Sequence, residues 1–430
     1  MKNTFYIAVF CFLLLSLASC KSDVDANKDG QINKQEKVSI TAKDILGNPD
    51  YLAISYGGYR TKDRANQPTI QQLKEDLKLL HAMGIRILRT YNVQPELPHA
   101  ANVLEAIHQL KNEDESFEMY VMLGAWIDCL NAWTDKAPNH NIESEQNKGE
   151  IERAVQLANK YPEIVKVIAV GNEAMVNWAA SYYVQPKVIL KWVNHLQKLK
   201  ENNKLSKDLW ITSSDDFSSW GGGAESYKTK ELDSLIRAVD YVSMHTYPYH
   251  NTHYNSDFWT VPESDKGLTK KQIVDRSMIR ALDFAKKQYK NVSAYVKSID
   301  STKSIHIGET GWATISNGHY GINGSRATDE YKQGLYYKSM RDWTNANGIS
   351  CFYFEAFNEQ WKDAKNENGS ENHFGLFTLK GEAKYPIWNL VDKGIFSDLK
   401  RDGNLIKKTY EGNLDSLFVT VNLPNTDYKK

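Results

Sequence analysis

Two glutamates follow apolar runs that are rich in β-branched residues. Glu173 closes the sequence Val170-Gly171-Asn172-Glu173 after the run 164–170, and Glu309 follows the run 304–307. Runs of this composition predict buried strands. If both strands belong to one parallel sheet, their carboxyl ends lie on the same side of it. Two carboxylates that face each other there can act as acid/base and nucleophile on a glycosidic bond.

The elements that must position these glutamates alternate between strand and helix from residue 51 onward. Such alternation predicts βαβ units and a parallel sheet. Eight strands and eight helices within residues 49–395 fit an α/β fold of the (β/α)₈, or TIM, barrel type, whose active-site residues stand at the carboxyl ends of the strands. The predicted strands are 52–56, 85–91, 117–123, 164–170, 209–213, 241–247, 304–307 and 349–354.

Residues 1–19 have the composition of a signal peptide. Lys2 gives a positive start, and the apolar run 5–17 is shorter than the roughly 20 residues that a membrane span needs. The sequence Leu17-Ala18-Ser19-Cys20 resembles a bacterial lipobox, which implies that Cys20 becomes the lipidated first residue; an ordinary signal peptide is the alternative. We expect a secreted lipoprotein of the outer membrane, because Lys21 rather than aspartate follows the cysteine, with the membrane face left open.

The tether that follows, residues 20–48, carries the pattern of an EF-hand calcium loop. Oxygen-bearing side chains alternate along it, a glycine stands at the sharp turn, and a glutamate closes it. The alternative is a polar linker that matches the pattern by chance. We expect a structural Ca²⁺ that stiffens the tether, and no cofactor for catalysis. The predicted ligands are Asp25, Asn27, Asp29, Gln31 and Glu36.

Composition narrows the function and the partners. The 430 residues include 53 basic and 53 acidic side chains, so the chain lacks the excess positive charge that nucleic-acid binding usually requires. Cys129 and Cys351 are the cysteines left in the barrel; they could pair, but buried thiols are the favoured interpretation, since Cys351 begins an apolar strand pattern. In the C-terminal extension, 396–430, residues 416–423 predict one added strand.

Motifs at the ends of several predicted strands together resemble glycoside hydrolase family 17. Any one of them is a weak signal, but their combination and order are specific, and the resemblance covers roughly residues 51–388. That family holds β-1,3-glucan and β-1,3-1,4-glucan endohydrolases and some glucan transferases. The motifs are residues 88–92, 170–173, 308–312, 354–362 with 371–377, and Tyr247-Pro248-Tyr249 as a fifth.

The resemblance implies that Glu173 is the general acid/base and Glu309 the nucleophile. It further implies that Asn172 bonds the sugar 2-hydroxyl at the cleavage site, that tyrosines hold the nucleophile or the sugar, that a charged cluster orients the acid, and that tryptophans stack on glucose rings. For these residues, barrel packing or structural ion pairing is the alternative, and Arg89 is equally a candidate for a buried ion pair. The implied binding residues are Tyr56, Tyr91, Asn172, Trp126, Tyr247, Trp312, Phe357, Glu359, Lys362 and Glu371, with Trp361 as a further platform.

The chain departs from the plant members of that family at Ala313, His245 and Trp361, and its segments 131–148 and 249–268 are longer than minimal barrel loops. These departures leave the subsites open. We expect a monomeric, retaining endo-β-1,3-glucanase that acts on laminarin-type glucan. The alternatives are a β-1,3-glucanosyltransferase that uses the same site and a non-catalytic glucan-binding surface lipoprotein; exo-action and mixed-linkage preference also stay open.

Overall fold

The computed structural model describes residues 40–429. The predicted signal peptide, the lipobox with Cys20 and the calcium loop 25–36 lie outside the described residues. Within residues 40–429, no helix is both long enough and apolar enough to span a membrane.

Eight parallel strands close into a barrel, as the sequence predicts. Each strand pairs with its neighbours in the sequence, and the last strand pairs with the first. The strands are almost wholly buried, because side chains fill the inside of the barrel and helices cover the outside. The strands are β1 Leu52–Ser55, β2 Ile85–Arg89, β3 Tyr120–Ala125, β4 Val165–Asn172, β5 Trp210–Asp216, β6 Tyr241–His245, β7 Ser304–Gly311 and β8 Cys351–Phe354.

Helices follow the strands and surround the barrel. Thr69 and Thr269 begin two of them with capping boxes, in which the threonine hydroxyl accepts from the backbone N–H three residues on. The sixth helix runs to residue 299, because Val292 and Val296 continue its buried face. The helices are α1 Ile70–Ala82, α2 His99–Glu113, α3 Gln146–Lys160, α4 Pro186–Glu201, α5 Lys230–Ala238, α6 Lys270–Ile299, α7 Glu330–Ala346 and α8 Trp388–Asp392.

The amino-terminal end of the barrel is closed by apolar packing. Ile87, Met122 and Phe352 belong to one buried cluster. Ala42 and Ile45, from the short helix Ala42–Ile45, pack into the same cluster. Toward the carboxyl ends of β2, β5 and β6 the buried residues include the polar side chains Arg89, Ser214 and His245. The barrel therefore has a hydrophobic base, and its chemistry is concentrated at the carboxyl ends of the strands.

The C-terminal extension is helical where a strand is predicted. Residues Leu414–Thr420 form a helix, and the Asn413 side chain accepts from the N–H of Ser416 at 2.9 Å. The predicted strand is wrong because Leu417 and Val421 are buried at helical spacing, and an asparagine cap precedes them. Elsewhere Cys129 and Cys351 are buried and unbridged, which confirms the thiol interpretation.

Candidate active site

The two glutamates meet at the carboxyl end of the barrel. Glu173 directly follows β4, and Glu309 lies near the end of β7. One carboxylate oxygen of each glutamate and one ring nitrogen of His245 all lie within 4.8 Å of one another. Gly171 turns the chain with a φ of 81°, where a side chain would meet Ala174 at 2.9 Å. The end of β4 thus bends so that Glu173 faces the barrel axis.

Glu309 is held ionised by its neighbours. Burial opposes its charge, but the adjacent Arg89 guanidinium and hydrogen bonds from two tyrosines outweigh burial and lower its pKa to about 2. Tyr91 donates to Oε2 at 2.8 Å, and Tyr247 donates to Oε1 at 2.7 Å. Arg89 also pairs directly with Oε2. A carboxylate in this setting is suited to act as a nucleophile.

Glu173 has the opposite environment. Burial raises its pKa well above the ordinary value, and the nearby negative charges of Glu309 and Asp216 raise it further. No lysine or arginine is paired with it among the described residues. A raised pKa favours the protonated carboxyl, as a general acid requires.

His245, the last residue of β6, contacts Glu173. Its Nδ1 lies 3.0 Å from Glu173 Oε1, and its Nε2 lies 2.8 Å from the Ser214 hydroxyl oxygen. Burial lowers the pKa of His245 to about 4, so the ring is neutral at neutral pH. Sequence reasoning noted His245 only as a departure from plant relatives. His245 could have been identified as a site residue from its position two residues before Tyr247, because alternate residues of a strand share one face.

Arg89 connects the two catalytic strands. Besides Glu309, it donates to the Gly308 carbonyl at 2.9 Å and to Asn172 Oδ1 at 2.5 Å. Arg89 therefore forms the buried ion pair that was one of the two interpretations left open by the sequence. Its partner in that pair is Glu309, the predicted nucleophile. The same contact fixes the orientation of the Asn172 amide beside Glu173.

The predicted charged cluster forms after β8. Lys362 Nζ lies 2.8 Å from Glu355 Oε2 and 3.5 Å from Glu359 Oε2. Glu359 also accepts from the Tyr59 N–H at 3.0 Å and from the Trp361 indole at 3.1 Å. Its carboxylate is thus satisfied within the protein, although Glu359 and Lys362 both border the cleft. Glu355 is a member of this cluster that the sequence did not identify.

An open cleft crosses the site in two halves. The first encloses about 540 Å³ and includes Asn172; the second encloses about 770 Å³ and includes Glu173. Both halves are bordered by Glu309, Phe354 and Glu371, so they meet at the nucleophile. The predicted binding residues Tyr56, Tyr91, Trp126, Trp361, Glu359 and Lys362 line the first half, and Tyr247 lines the second.

Two predicted binding residues are misplaced. Trp312 is fully buried, and its indole donates to the Ala327 carbonyl at 2.8 Å. Phe357 is also buried, with its ring stacked on Phe377 at 4.9 Å. Both predictions are wrong, because these side chains turn into the packing behind the cleft. In contrast, Trp133 and Trp178 line the cleft and are 63% and 62% exposed, although the sequence did not single them out.

The glutamate pair and His245 also satisfy a distance test for metal binding. Within residues 40–429 they form the one such group of three converging ligands. Arg89 donates to the same carboxylate of Glu309 that a cation would use. The positive charge of the guanidinium already serves the role of a counter-ion there, so the donor set fits acid/base chemistry better than cation binding.

A (β/α)₈ barrel with two facing glutamates at its carboxyl end, one with a raised pKa and one with a lowered pKa, defines a barrel glycoside hydrolase. The particular family follows from the comparison with known families. Residues 53–375 match the BtgE/BtgC glycoside hydrolase domain, and the chain belongs to that family. This agrees with the resemblance that the strand-end motifs indicate.

The chain is also similar to individual proteins of this kind. The chain is 63% identical to an endo-laminarinase from Formosa Hel1_33_131 of known structure, with a TM-score of 0.88 over 90% of this chain and 98% of that one. It is 25% identical to a glucan 1,3-beta-glucosidase from Arthroderma benhamiae over 81% of this chain and 92% of the relative. A β-1,3-glucanosyltransferase of family 17 from Rhizomucor miehei, 17% identical, shares the fold with a TM-score of 0.52, over 78% of this chain and 96% of that one.

Proposed function

We propose that this chain is a retaining endo-β-1,3-glucanase that hydrolyses laminarin-type glucan. The observation that carries the proposal is the pairing of Glu173 and Glu309. Their carboxylate oxygens approach within 4.8 Å, whereas inverting enzymes separate the two carboxyls by about 6.5–9.5 Å to admit water. The high identity to an endo-laminarinase supports the choice of substrate.

The proposed reaction has two displacements. A Glu309 oxygen attacks the anomeric carbon as the bond to the leaving oxygen breaks, and Glu173 gives its proton to that oxygen. Glu173, now ionised, takes a proton from water, which attacks the same carbon and releases Glu309. Arg89, Tyr91 and Tyr247 hold Glu309 for attack, while His245 holds Glu173. The pKa of Glu173 falls once the charge of Glu309 is consumed in the ester, which suits its change from acid to base.

The two halves of the cleft have different roles. An acid protonates the leaving oxygen, so the leaving part of the glucan lies on the side of Glu173, in the larger half. Asn172 borders the smaller half, which would hold the glycone, meaning the part that becomes attached to Glu309. Since space extends on both sides of Glu309, a glucan can cross the site and be cut internally.

A product profile tests this proposal. A soluble form without residues 1–20 would be incubated with laminarin, and early products followed by mass and by anomeric NMR. We expect short oligosaccharides that first appear as the β-anomer. Early α-anomer would refute retention, release of a single small product from one end would refute endo-action, and no products from any β-1,3-linked glucan would refute the function.

Glucan transfer is a second candidate that one observation favours. Trp178 and Tyr254 line the half that holds the leaving group and are 62% and 66% exposed. Exposed aromatic rings there can hold an incoming glucan as well as a departing one, and an acceptor that outcompetes water yields a longer chain. Products longer than the donor at high oligosaccharide concentration would favour transfer; their absence would favour hydrolysis.

We further propose that Cys20 carries lipid and anchors a monomeric enzyme in the outer membrane, with a Ca²⁺-binding loop formed by residues 25–36. The lipobox pattern and the spacing of oxygen ligands support these proposals. Substitution of Cys20 by serine should release the protein from membranes. Calcium titration of the chain from residue 21 onward, against an Asp25→Ala and Glu36→Ala variant, tests the loop.

A further inference from the structure

The hairpin after β3 carries an exposed tryptophan into the cleft. Its short strands are Cys129–Leu130 and Asn139–Glu143, and Trp133 lies in the turn between them. The ring is 63% exposed and lines the half that would hold the glycone. A large apolar side chain exposed inside a cleft requires an explanation, because burial would be favourable.

The backbone of this turn is held in a disfavoured conformation. Asn131 and Trp133 both adopt left-handed φ angles, of 65° and 62°. Two hydrogen bonds stabilise the turn. Thr134 Oγ1 donates to the Asn131 carbonyl at 2.8 Å, and Asn131 Nδ2 donates to the Ala137 carbonyl at 3.1 Å. Non-glycine residues in this region concentrate at ligand-binding positions. The strain here fixes where the Trp133 ring is presented.

The inner face of that ring is already packed. Trp133 stacks on Tyr182 with ring centroids 5.0 Å apart and planes 22° apart. Trp126 lies 5.1 Å from Tyr182 by the same measure. We call Trp126, Tyr182 and Trp133 the aromatic ledge. Trp126 directly follows β3, whereas Trp133 lies in the turn of the hairpin beyond it, so the ledge extends from the end of β3 onto the hairpin.

Aromatic side chains from other segments of the chain also line this half. Tyr59 and Trp361 line it, and the Arg64 guanidinium lies 4.2 Å from the Trp361 ring centroid. A β-glucosyl ring carries its hydroxyls at the edge and C–H groups on both faces. Stacking such a face on an aromatic ring removes apolar surface from water, and a rigid ring loses little conformational entropy.

We propose that the exposed face of Trp133 is a distal glycone subsite, which binds a glucosyl ring of the β-1,3-glucan away from the bond that is cut. This proposal rests on the proposed function. The subsite makes the enzyme favour chains long enough to reach the outer end of the aromatic ledge. Short oligosaccharides occupy only the subsites next to Glu309 and gain nothing from it.

A ladder of aryl β-1,3-laminariosides tests the subsite. The aryl group occupies the leaving side, so each added glucosyl unit extends the glycone alone, from one unit to five. In the wild type, kcat/KM should rise at the length that reaches Trp133. In Trp133→Ala that rise should disappear. For the long members, kcat/KM should fall about tenfold relative to the wild type, which corresponds to 1.4 kcal/mol. For the shortest members, kcat/KM should change less than twofold.

Two variants serve as controls. Trp133→Phe keeps an aromatic face and should retain most of the rise. Ile142→Ala removes another exposed apolar side chain of the same hairpin that does not border the cleft, and should match the wild type. An equal loss at every length in Trp133→Ala, or none at any length, would overturn the subsite. If the wild type cleaved no member, the proposed function would fail first, and the subsite with it.

Discussion

The imidazole Nδ1 of His245 lies 3.0 Å from the carboxyl oxygen Oε1 of Glu173. Because burial lowers the pKa of His245 to about 4, the ring is neutral when the enzyme works near neutral pH. We assign the proton that Glu173 delivers to Oε2, the oxygen that His245 does not contact. His245 therefore donates from Nδ1 to Oε1, and Ser214 donates to Nε2 at 2.8 Å. His245 is a positioning residue for the acid.

Replacing His245 tests this arrangement. A donor stabilises the ionised carboxyl, so His245→Phe should raise the pKa of Glu173 and move the alkaline limb of kcat/KM to higher pH. The misplaced acid should lower the rate on laminarin about 10–100-fold, but far less on aryl glycosides, which need little acid assistance. His245→Asn can still donate and is the matched control. Equal losses on both substrates with an unmoved limb would contradict the role.

The two glutamates should affect stability with opposite signs. The pKa of Glu173 is raised, so its contribution is present at low pH and is lost as pH rises through the folded pKa. Glu173→Gln should therefore be more stable than the wild type at alkaline pH and similar to it in weak acid. Urea unfolding at several pH values measures this difference.

The pKa of Glu309 is lowered from 4.5 to about 2, so its contribution is present above pH 4.5 and is lost as pH falls toward 2. Glu309→Gln should be less stable near neutral pH by about 3–5 kcal/mol, because it leaves the Arg89 cation buried without a partner. Equal stability of this variant and the wild type near neutral pH would show that Arg89 does not hold the nucleophile as the geometry indicates.

Arg89 gives a further prediction. It contacts Glu309, Gly308 and Asn172 through a planar fork, which lysine cannot reproduce. Arg89→Lys keeps a charge near Glu309 but should free the Asn172 amide, so kcat should fall while the acid limb moves little. Arg89→Met removes the charge as well, and the pKa of Glu309 should rise, which moves the acid limb to higher pH. Identical pH profiles for the two variants would refute this separation of roles.

The catalytic glutamates could be predicted from the sequence, because they stand at the ends of strands and buried strands are rich in β-branched residues. Glu173 and Glu309 each follow a β-branched run, and a parallel barrel brings such ends together. The helix Leu414–Thr420 was misread as a strand, because its β-branched residues favour strands while its helical spacing depends on the surface that Leu417 meets.

Side-chain direction at the cleft was harder to predict. Trp312 belongs to a strand-end motif and Trp133 does not, yet only Trp133 lines the cleft. The direction of each ring is set by packing that involves residues far away in the sequence, such as Tyr182 beneath Trp133. The role of Glu355 was likewise hidden, since its partner Lys362 is identified only by their distance of 2.8 Å in the folded chain.

Trp312 offers a test of whether it is a core residue or a sugar platform. It packs 5.7 Å from Trp259 and 5.2 Å from Tyr336 by ring centroids, and its indole N–H satisfies the Ala327 carbonyl. Trp312→Phe loses buried area and leaves that carbonyl without its donor, which should cost about 2–4 kcal/mol of stability. KM for laminarin, measured well below the unfolding temperature, should change less than twofold, because the ring does not border the cleft. Trp126→Phe, at a position that does line the cleft, should raise KM with little loss of stability. A Trp312→Phe variant with wild-type stability and a raised KM would restore Trp312 as a binding residue.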